Sequence, residues 1–109
     1  MLYVANTFSL NMLKETEATI KVSEVDTITV KSLLQSRNWE SCVGHQGTVD
    51  ILKSLLDMDV PFNRVAVKME KGDLAIVFQL MQRVEEGKVL SKEELQTLPH
   101  KFLVVEVVW

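Results

Sequence analysis

The sequence predicts an α/β fold: one domain, residues 1–109, in which helices flank a mixed five-stranded β-sheet. Five short segments are apolar or alternate apolar with polar residues, as strands do. Between them, apolar residues recur three and four positions apart, as on amphipathic helices. The length of 109 residues, with 47% hydrophobic and 25% charged residues, is typical of a single globular domain.

The first half of the chain begins with a short apolar run, Leu2–Ala5, which predicts a buried strand. Residues 9–14 predict a helical turn with Ser9 as its N-cap. Apolar and polar residues alternate over 18–23, which indicates a half-buried strand. Asp26 or Thr29 can then cap an amphipathic helix. Residues 37–39 are expected in or near a loop.

The second half contains the clearest helix, residues 48–57, with Thr48 as its expected N-cap. Alternation over 65–69, a Lys71-Gly72 turn and the apolar run 74–80 predict a β-hairpin. A capping box at residues 91–94 predicts a short helix. The apolar end, residues 102–109, predicts a strand that is buried on both faces.

Composition excludes several functions. The net charge of −3 argues against a broad basic surface for duplex nucleic acid, although a local pocket for a small anion remains possible. One cysteine, Cys42, rules out an intramolecular disulfide, and with two histidines it cannot complete a Cys/His zinc site. No run approaches the roughly 18 apolar residues of a membrane span. We therefore expect a soluble cytoplasmic protein without metal or cofactor.

Three groups of polar side chains lie where predicted strands end and helices begin. They are Asn6, Ser9 and Asn11 after the first strand, His45 before the clearest helix, and Arg83 with Glu86 after the strand that ends at residue 80. Ligands of open α/β sheets bind beyond the strand ends, so these groups are expected to meet in one crevice. Together they can hold and cut a phosphodiester without a metal.

Each group also has a plainer interpretation. His45 can protonate a leaving oxygen, typically worth about 10² to 10⁴ in rate, or it is simply an exposed loop histidine. Arg83 can clamp a phosphate, or it pairs with Glu85 or Glu86 on the surface. The asparagines and Ser9 equally suit turns and caps. His100 is expected in a loop, Arg64 at a strand start and Cys42 in the interior.

These stretches resemble the viral ring nucleases that act as anti-CRISPR proteins against type III systems. The resemblance is carried by residues 3–13, by Gly44-His45 with Thr48, by Asn63-Arg64-Val65 and by residues 83–90. It implies a homodimer with a ligand pocket across the dimer interface. The implied substrate is cyclic tetra-adenylate, the second messenger of type III CRISPR defence, whose destruction silences the effector nucleases that it activates.

The resemblance also implies residue roles. His45, Arg83 and Glu86 match the catalytic residues of the family, and Asn6, Ser9 and Asn11 match its ligand-binding loop. Thr48 and Gln79 are further expected ligand contacts. The alternatives are a module that only sequesters a cyclic oligonucleotide, and a protein-interaction domain whose apolar end at residues 107–109 binds another chain.

Overall fold

Five strands and two α-helices form the described part of the chain. The structure, a computed structural model, describes residues 1–15, 17–81, 94, 97 and 99–108. The elements in chain order are β1 (Leu2–Ala5), a 3₁₀ turn (Leu10–Met12), β2 (Ile20–Val25), α1 (Thr27–Ser36), β3 (Trp39–Ser41), α2 (Gln46–Leu56), β4 (Leu74–Leu80) and β5 (His100–Val107).

The sheet has the strand order β2-β5-β4-β1-β3. β1 lies between β3 and β4 and runs parallel to both. β5 is antiparallel to β4 on one side and to β2 on the other. The carboxyl ends of β1, β3 and β4 therefore meet at one edge of the sheet. Chain segments that leave these three strands are brought side by side there.

Both helices cover one face of this sheet. α1 begins where the Asp26 side chain accepts a hydrogen bond from Thr29 N at 2.8 Å, which confirms one of the two predicted caps. α2 buries Ile51, Leu52 and Leu56. They join a core cluster with side chains from β1, β4 and β5, among them Leu2, Val4, Ile76, Phe78 and Phe102. Burial of this apolar surface is the main stabilising term for the fold.

A second cluster lies on the opposite face of the sheet. Its buried members are Met69, Ala75, Val77, Val105 and Val107. Phe8 and Met12, from the segment after β1, and Val67 pack against it. Two irregular segments, residues 6–14 and 65–69, therefore contribute to the covering of this face. They lie together because Met69 N donates to Met12 O and Lys14 N donates to Met69 O.

The predicted fold class is confirmed, but one strand and the hairpin were assigned wrongly. The third strand is Trp39–Ser41, which sequence analysis assigned partly to a loop. Residues 61–68 form no strand, and only Met69 makes a bridge, to Leu13. Apolar and polar residues alternate here although no strand forms. Val67 and Met69 pack inward, whereas Val65 is exposed. β4 pairs instead with β1 and β5, partners distant in sequence that no local pattern reveals.

Two element boundaries also differ from the prediction. His100 is not in a loop, because it begins β5. The centroid of its ring lies 5.6 Å from the ring centroid of Phe78 and 5.7 Å from that of Phe102. α2 begins at Gln46, so Thr48 lies inside the helix and is not its N-cap. The turn predicted within residues 9–14 is present as the 3₁₀ turn. Residues 91–93 of the predicted capping-box helix and Trp109 lie outside what the structure describes, and Glu94, which is described, is helical.

Candidate functional site

Two of the three polar groups lie together at the edge where β1 and β3 end. Asn6 follows β1 directly, and the segment from Cys42 to His45 follows β3. Gly44 N donates a hydrogen bond of 3.1 Å to Asn6 Oδ1, which ties the two segments to each other. The third group, Arg83 and Glu86, lies outside the described residues, so the structure leaves its position a prediction.

His45 is the N-cap of α2. Its backbone is extended, and its Nδ1 accepts a hydrogen bond from Thr48 N at 3.3 Å. Because Nδ1 is the acceptor, the neutral ring carries its proton on Nε2. The residue is exposed. The ring is thus held at one nitrogen by the helix end and offers the other nitrogen to solvent.

Gly47 explains how this ring fits over the first turn of α2. A Cβ at Gly47 would lie 3.0 Å from His45 Cε1 and 3.3 Å from Nδ1. Both separations are tighter than ordinary van der Waals contact. The absence of a side chain at this position therefore leaves room for the imidazole.

Thr48 supports His45 from inside the helix. It is 8% exposed, and its backbone N–H is directed at the histidine ring. Its hydroxyl oxygen lies 3.4 Å from His45 Nδ1, so it can accept a hydrogen bond from that nitrogen when the ring is doubly protonated. The expected direct contact of Thr48 with a ligand stays a prediction. The observed contact is with the histidine.

A cavity of about 290 Å³ opens beside this junction. Its lining combines the polar residues after β1 with an apolar strip and one lysine: Asn6, Thr7, Ser9, Asn11, Met12, Cys42, Val65, Ala66, Val67 and Lys68. The amide nitrogens of Asn6 and Asn11 donate to no other described residue, so both are available to a ligand. The structure thereby brings together the three side chains, Asn6, Ser9 and Asn11, that the sequence pointed to.

Arg64 lies beside the candidate site, a placement that pattern reasoning missed. Its side chain packs so closely on Gly44 that a Cβ there would lie 2.9 Å from Arg64 Cγ. Asn63 holds the segment in place, since its side chain donates to Ser41 O at 2.8 Å and its backbone N to Val43 O at 2.9 Å. Arg64 is exposed and makes no ion pair with any described residue. Sequence analysis expected only a strand start at Arg64, whereas the structure places its side chain next to the segment that carries His45.

Gln79 lies near the carboxyl end of β4, opposite Lys101 of β5. It is exposed, and strand alternation places it on the same face as Val77, the face that carries the cavity. It does not line the cavity itself. Its ligand-binding role stays a prediction.

Cys42 lies in the wall of the cavity as a half-buried thiol. Its Sγ donates to Val4 O at 3.4 Å, and burial raises the pKa of the thiol. A raised pKa reduces the thiolate fraction at neutral pH, which opposes a role as nucleophile. Sequence analysis expected Cys42 in the interior, whereas the structure shows it half-buried in the cavity wall.

Metal ligands and membrane helices were sought in the same residues. In residues 1–15, 17–81 and 99–108, no three His, Cys, Asp or Glu side chains come close enough together to hold a metal ion. Nor does any helix of the described chain have the length and apolar character needed to cross a membrane.

Fold and site define a small α/β protein with a candidate ligand site beyond the ends of its parallel strands. The chain belongs to the STIV B116-like family, whose model matches residues 2–102. The solved structure of B116 from Sulfolobus turreted icosahedral virus superposes with a TM-score of 0.85 at 34% identity, covering 96% of this chain and 97% of that one.

Similar sequences come from other archaeal viruses and from a bacterium. Protein 26 of Sulfolobus islandicus filamentous virus is 33% identical over 99% of this chain and 92% of its own length. The ORF117 protein of Acidianus two-tailed virus is 33% identical over 90% of this chain and 86% of its own. YddF of Bacillus subtilis is 28% identical over 62% of each. A viral origin of this chain fits these relatives.

Proposed function

We propose that the chain is a metal-independent ring nuclease that cleaves cyclic tetra-adenylate to linear di-adenylate with a 2′,3′-cyclic phosphate. The observation that carries the proposal is the placement of His45. It is an exposed imidazole at a helix N-terminus, and it is joined through Gly44 and Asn6 to a cavity whose wall carries Asn6, Ser9 and Asn11. A proton donor next to free amide groups suits a phosphate ester.

The reaction uses a nucleophile that the substrate supplies. The ribose 2′-oxygen attacks the adjacent phosphorus and passes its proton to water, and the bond from phosphorus to the 5′-oxygen breaks. Protonated His45 donates a proton from Nε2 to the leaving 5′-oxygen, because its Nδ1 faces Thr48. Holding the 2′-oxygen in line with the leaving oxygen turns the step into a positioned intramolecular reaction.

The charge that develops on the phosphate needs cationic donors. Arg83 is proposed to stabilise the phosphorane oxygens, and Glu86 to orient the ribose or the imidazole. Arg64, whose side chain packs on Gly44, supplies a second guanidinium next to the His45 segment. Asn6, Ser9 and Asn11 are proposed to contact ribose and base edges. Thr48 and Gln79 complete the proposed set of contacts.

The proposed working unit is a homodimer, because a two-fold axis suits a cyclic tetranucleotide. Each subunit would then supply one His45 to one of two opposite phosphates. In a cell that carries type III CRISPR immunity, loss of the cyclic ligand would leave the effector nucleases inactive. The protein is proposed to act in the cytoplasm of such a cell.

Incubation with labelled cyclic tetra-adenylate in the presence of a chelator, followed by chromatography, tests the proposal. The expected product is linear di-adenylate that ends in a cyclic phosphate, and its yield should not depend on added divalent metal. His45→Asn is the matched negative control. An intact ring after prolonged incubation with the wild-type protein would refute the proposed reaction.

The second candidate function is a module that binds the cyclic ligand without cutting it. It is favoured by the absence of His45 from the cavity lining, which consists of residues of the Asn6 loop, Cys42 and residues 65–68. Such a module would retain the ring intact, and His45→Asn would leave its affinity unchanged. A protein-interaction domain, the remaining alternative, would not bind the nucleotide at all.

A further inference from the structure

The segment from Thr7 to Asn11 forms one wall of the cavity. Phe8 packs on the second core cluster, but few hydrogen bonds of the described residues join this segment to the rest of the chain. Its two ends are fixed: Asn6 Oδ1 accepts from Gly44 N, and Met12 O accepts from Met69 N. Between these anchors, its backbone bonds are local, such as that from Met12 N to Ser9 O at 3.0 Å. Such a segment can shift unless something holds it from outside.

Lys68 provides that outside contact. Its Nζ donates a hydrogen bond to the backbone carbonyl of Asn11. Among the described residues, this is the one hydrogen bond that joins residues 7–11 to another part of the chain. Lys68 also lines the cavity, so the contact closes the wall directly beside the space for a ligand.

We propose that Lys68 is a positioning residue, which holds the Asn11 segment in the form that binds ligand. The inference rests on the proposed function, because it names what keeps the ligand-binding loop of that site in place. Without the Lys68 contact, ordering of residues 7–11 would have to occur on binding, and this ordering weakens affinity. His45 lies on the other side of Gly44 from this segment, so the rate of the chemical step is expected to stay the same.

Lys14 offers a matched control. Its Nζ pairs with Glu70 Oε2 at 3.0 Å, so it too joins the first irregular segment to the second. Both side chains of this pair are more than half exposed, and neither lines the cavity. Lys14→Met removes a similar surface contact and leaves the wall at Asn11 intact.

The test measures steady-state cleavage of cyclic tetra-adenylate by the wild type and by Lys68→Met, Lys68→Arg and Lys14→Met. Lys68→Met is expected to raise KM by roughly two- to tenfold, the equivalent of one hydrogen bond, and to leave kcat within about twofold. Lys68→Arg restores the donor and should return KM toward the wild-type value. Lys14→Met should leave KM unchanged.

Amide exchange of the ligand-free proteins gives a readout that does not depend on activity. Lys68→Met should speed exchange at Met12 and Leu13, and Lys14→Met should not. An unchanged KM and unchanged exchange in Lys68→Met would overturn the inference, as would an equal rise of KM in Lys14→Met. A wild-type protein that leaves the ring intact, with faster exchange in Lys68→Met, would refute the proposed function alone.

Discussion

Replacing His45 by two different residues separates its structural role from its proposed chemical role. Its Nδ1 caps α2 through Thr48 N. Alanine removes the cap, which typically costs about 1 kcal/mol of stability. An unfolding entropy of about 2.1 cal/mol/K per residue makes this a drop of about 4 °C in Tm for 109 residues. Asparagine is among the strongest N-cap residues, so His45→Asn should melt at or above the wild-type temperature.

Both variants lack the proton donor. Each should therefore lose at least about 10² in cleavage rate, the usual contribution of general acid catalysis, and should still bind the ring. Calorimetry gives the melting temperatures, and chromatography of labelled cyclic tetra-adenylate gives the rates. If His45→Asn cleaves within threefold of the wild type, the proton-donor role is wrong. If the two variants melt at the same temperature, the capping role is wrong.

Three further changes test the surroundings of the site. Gly47→Ala should leave Tm close to the wild-type value, because the gain in helix propensity offsets the weakened His45 cap. Its Cβ would displace the His45 ring and lower kcat severalfold, and an unchanged kcat would contradict the close packing. Arg64→Met keeps the aliphatic packing on Gly44 and removes the guanidinium. It should raise KM about tenfold if Arg64 contacts phosphate, and an unaltered KM would exclude that contact. Burial raises the pKa of the Cys42 thiol, so the native state keeps its proton above the ordinary value of 9.0 while the unfolded chain loses it. The free energy of unfolding should therefore fall as pH rises past 9.0, and urea titrations of Cys42→Ala should show a shallower fall than the wild type.

Sequence patterns predicted the sheet wherever a strand is long or strongly apolar. Leu2–Ala5 and Leu74–Leu80 were placed correctly for this reason. β3 was missed because it has three residues and carries a polar residue between Trp39 and Ser41, too short for any period to emerge. The alternation over residues 65–69 matched a strand pattern better than Trp39–Ser41 did, although Val65 is exposed and residues 61–68 form no strand.

The sequence predicted several residues of the candidate site but not how these residues are arranged. Asn6 and His45 were indicated because each follows or precedes an element end, and parallel strands bring such ends together. The contact between Arg64 and Gly44 depends on how an irregular segment folds back over the sheet, which no periodicity encodes. Capping of α2 by His45, in place of Thr48, depended on where the first helical turn starts.

The segment that carries His45 follows β3, the strand with the fewest paired residues in the described sheet. β3 is an edge strand that is paired along one side only, to β1, and its three residues lead straight into Cys42 and the segment up to His45. Short edge strands open more often than central ones, so the segment that leads to His45 should open locally before a ligand binds, although the imidazole itself is held at Nδ1 by α2. A cyclic ligand that contacts both the Asn6 segment and the His45 segment would suppress this opening. Protection from solvent exchange at residues 39–44 should then rise sharply with ligand, while β4 and β5 stay as they were.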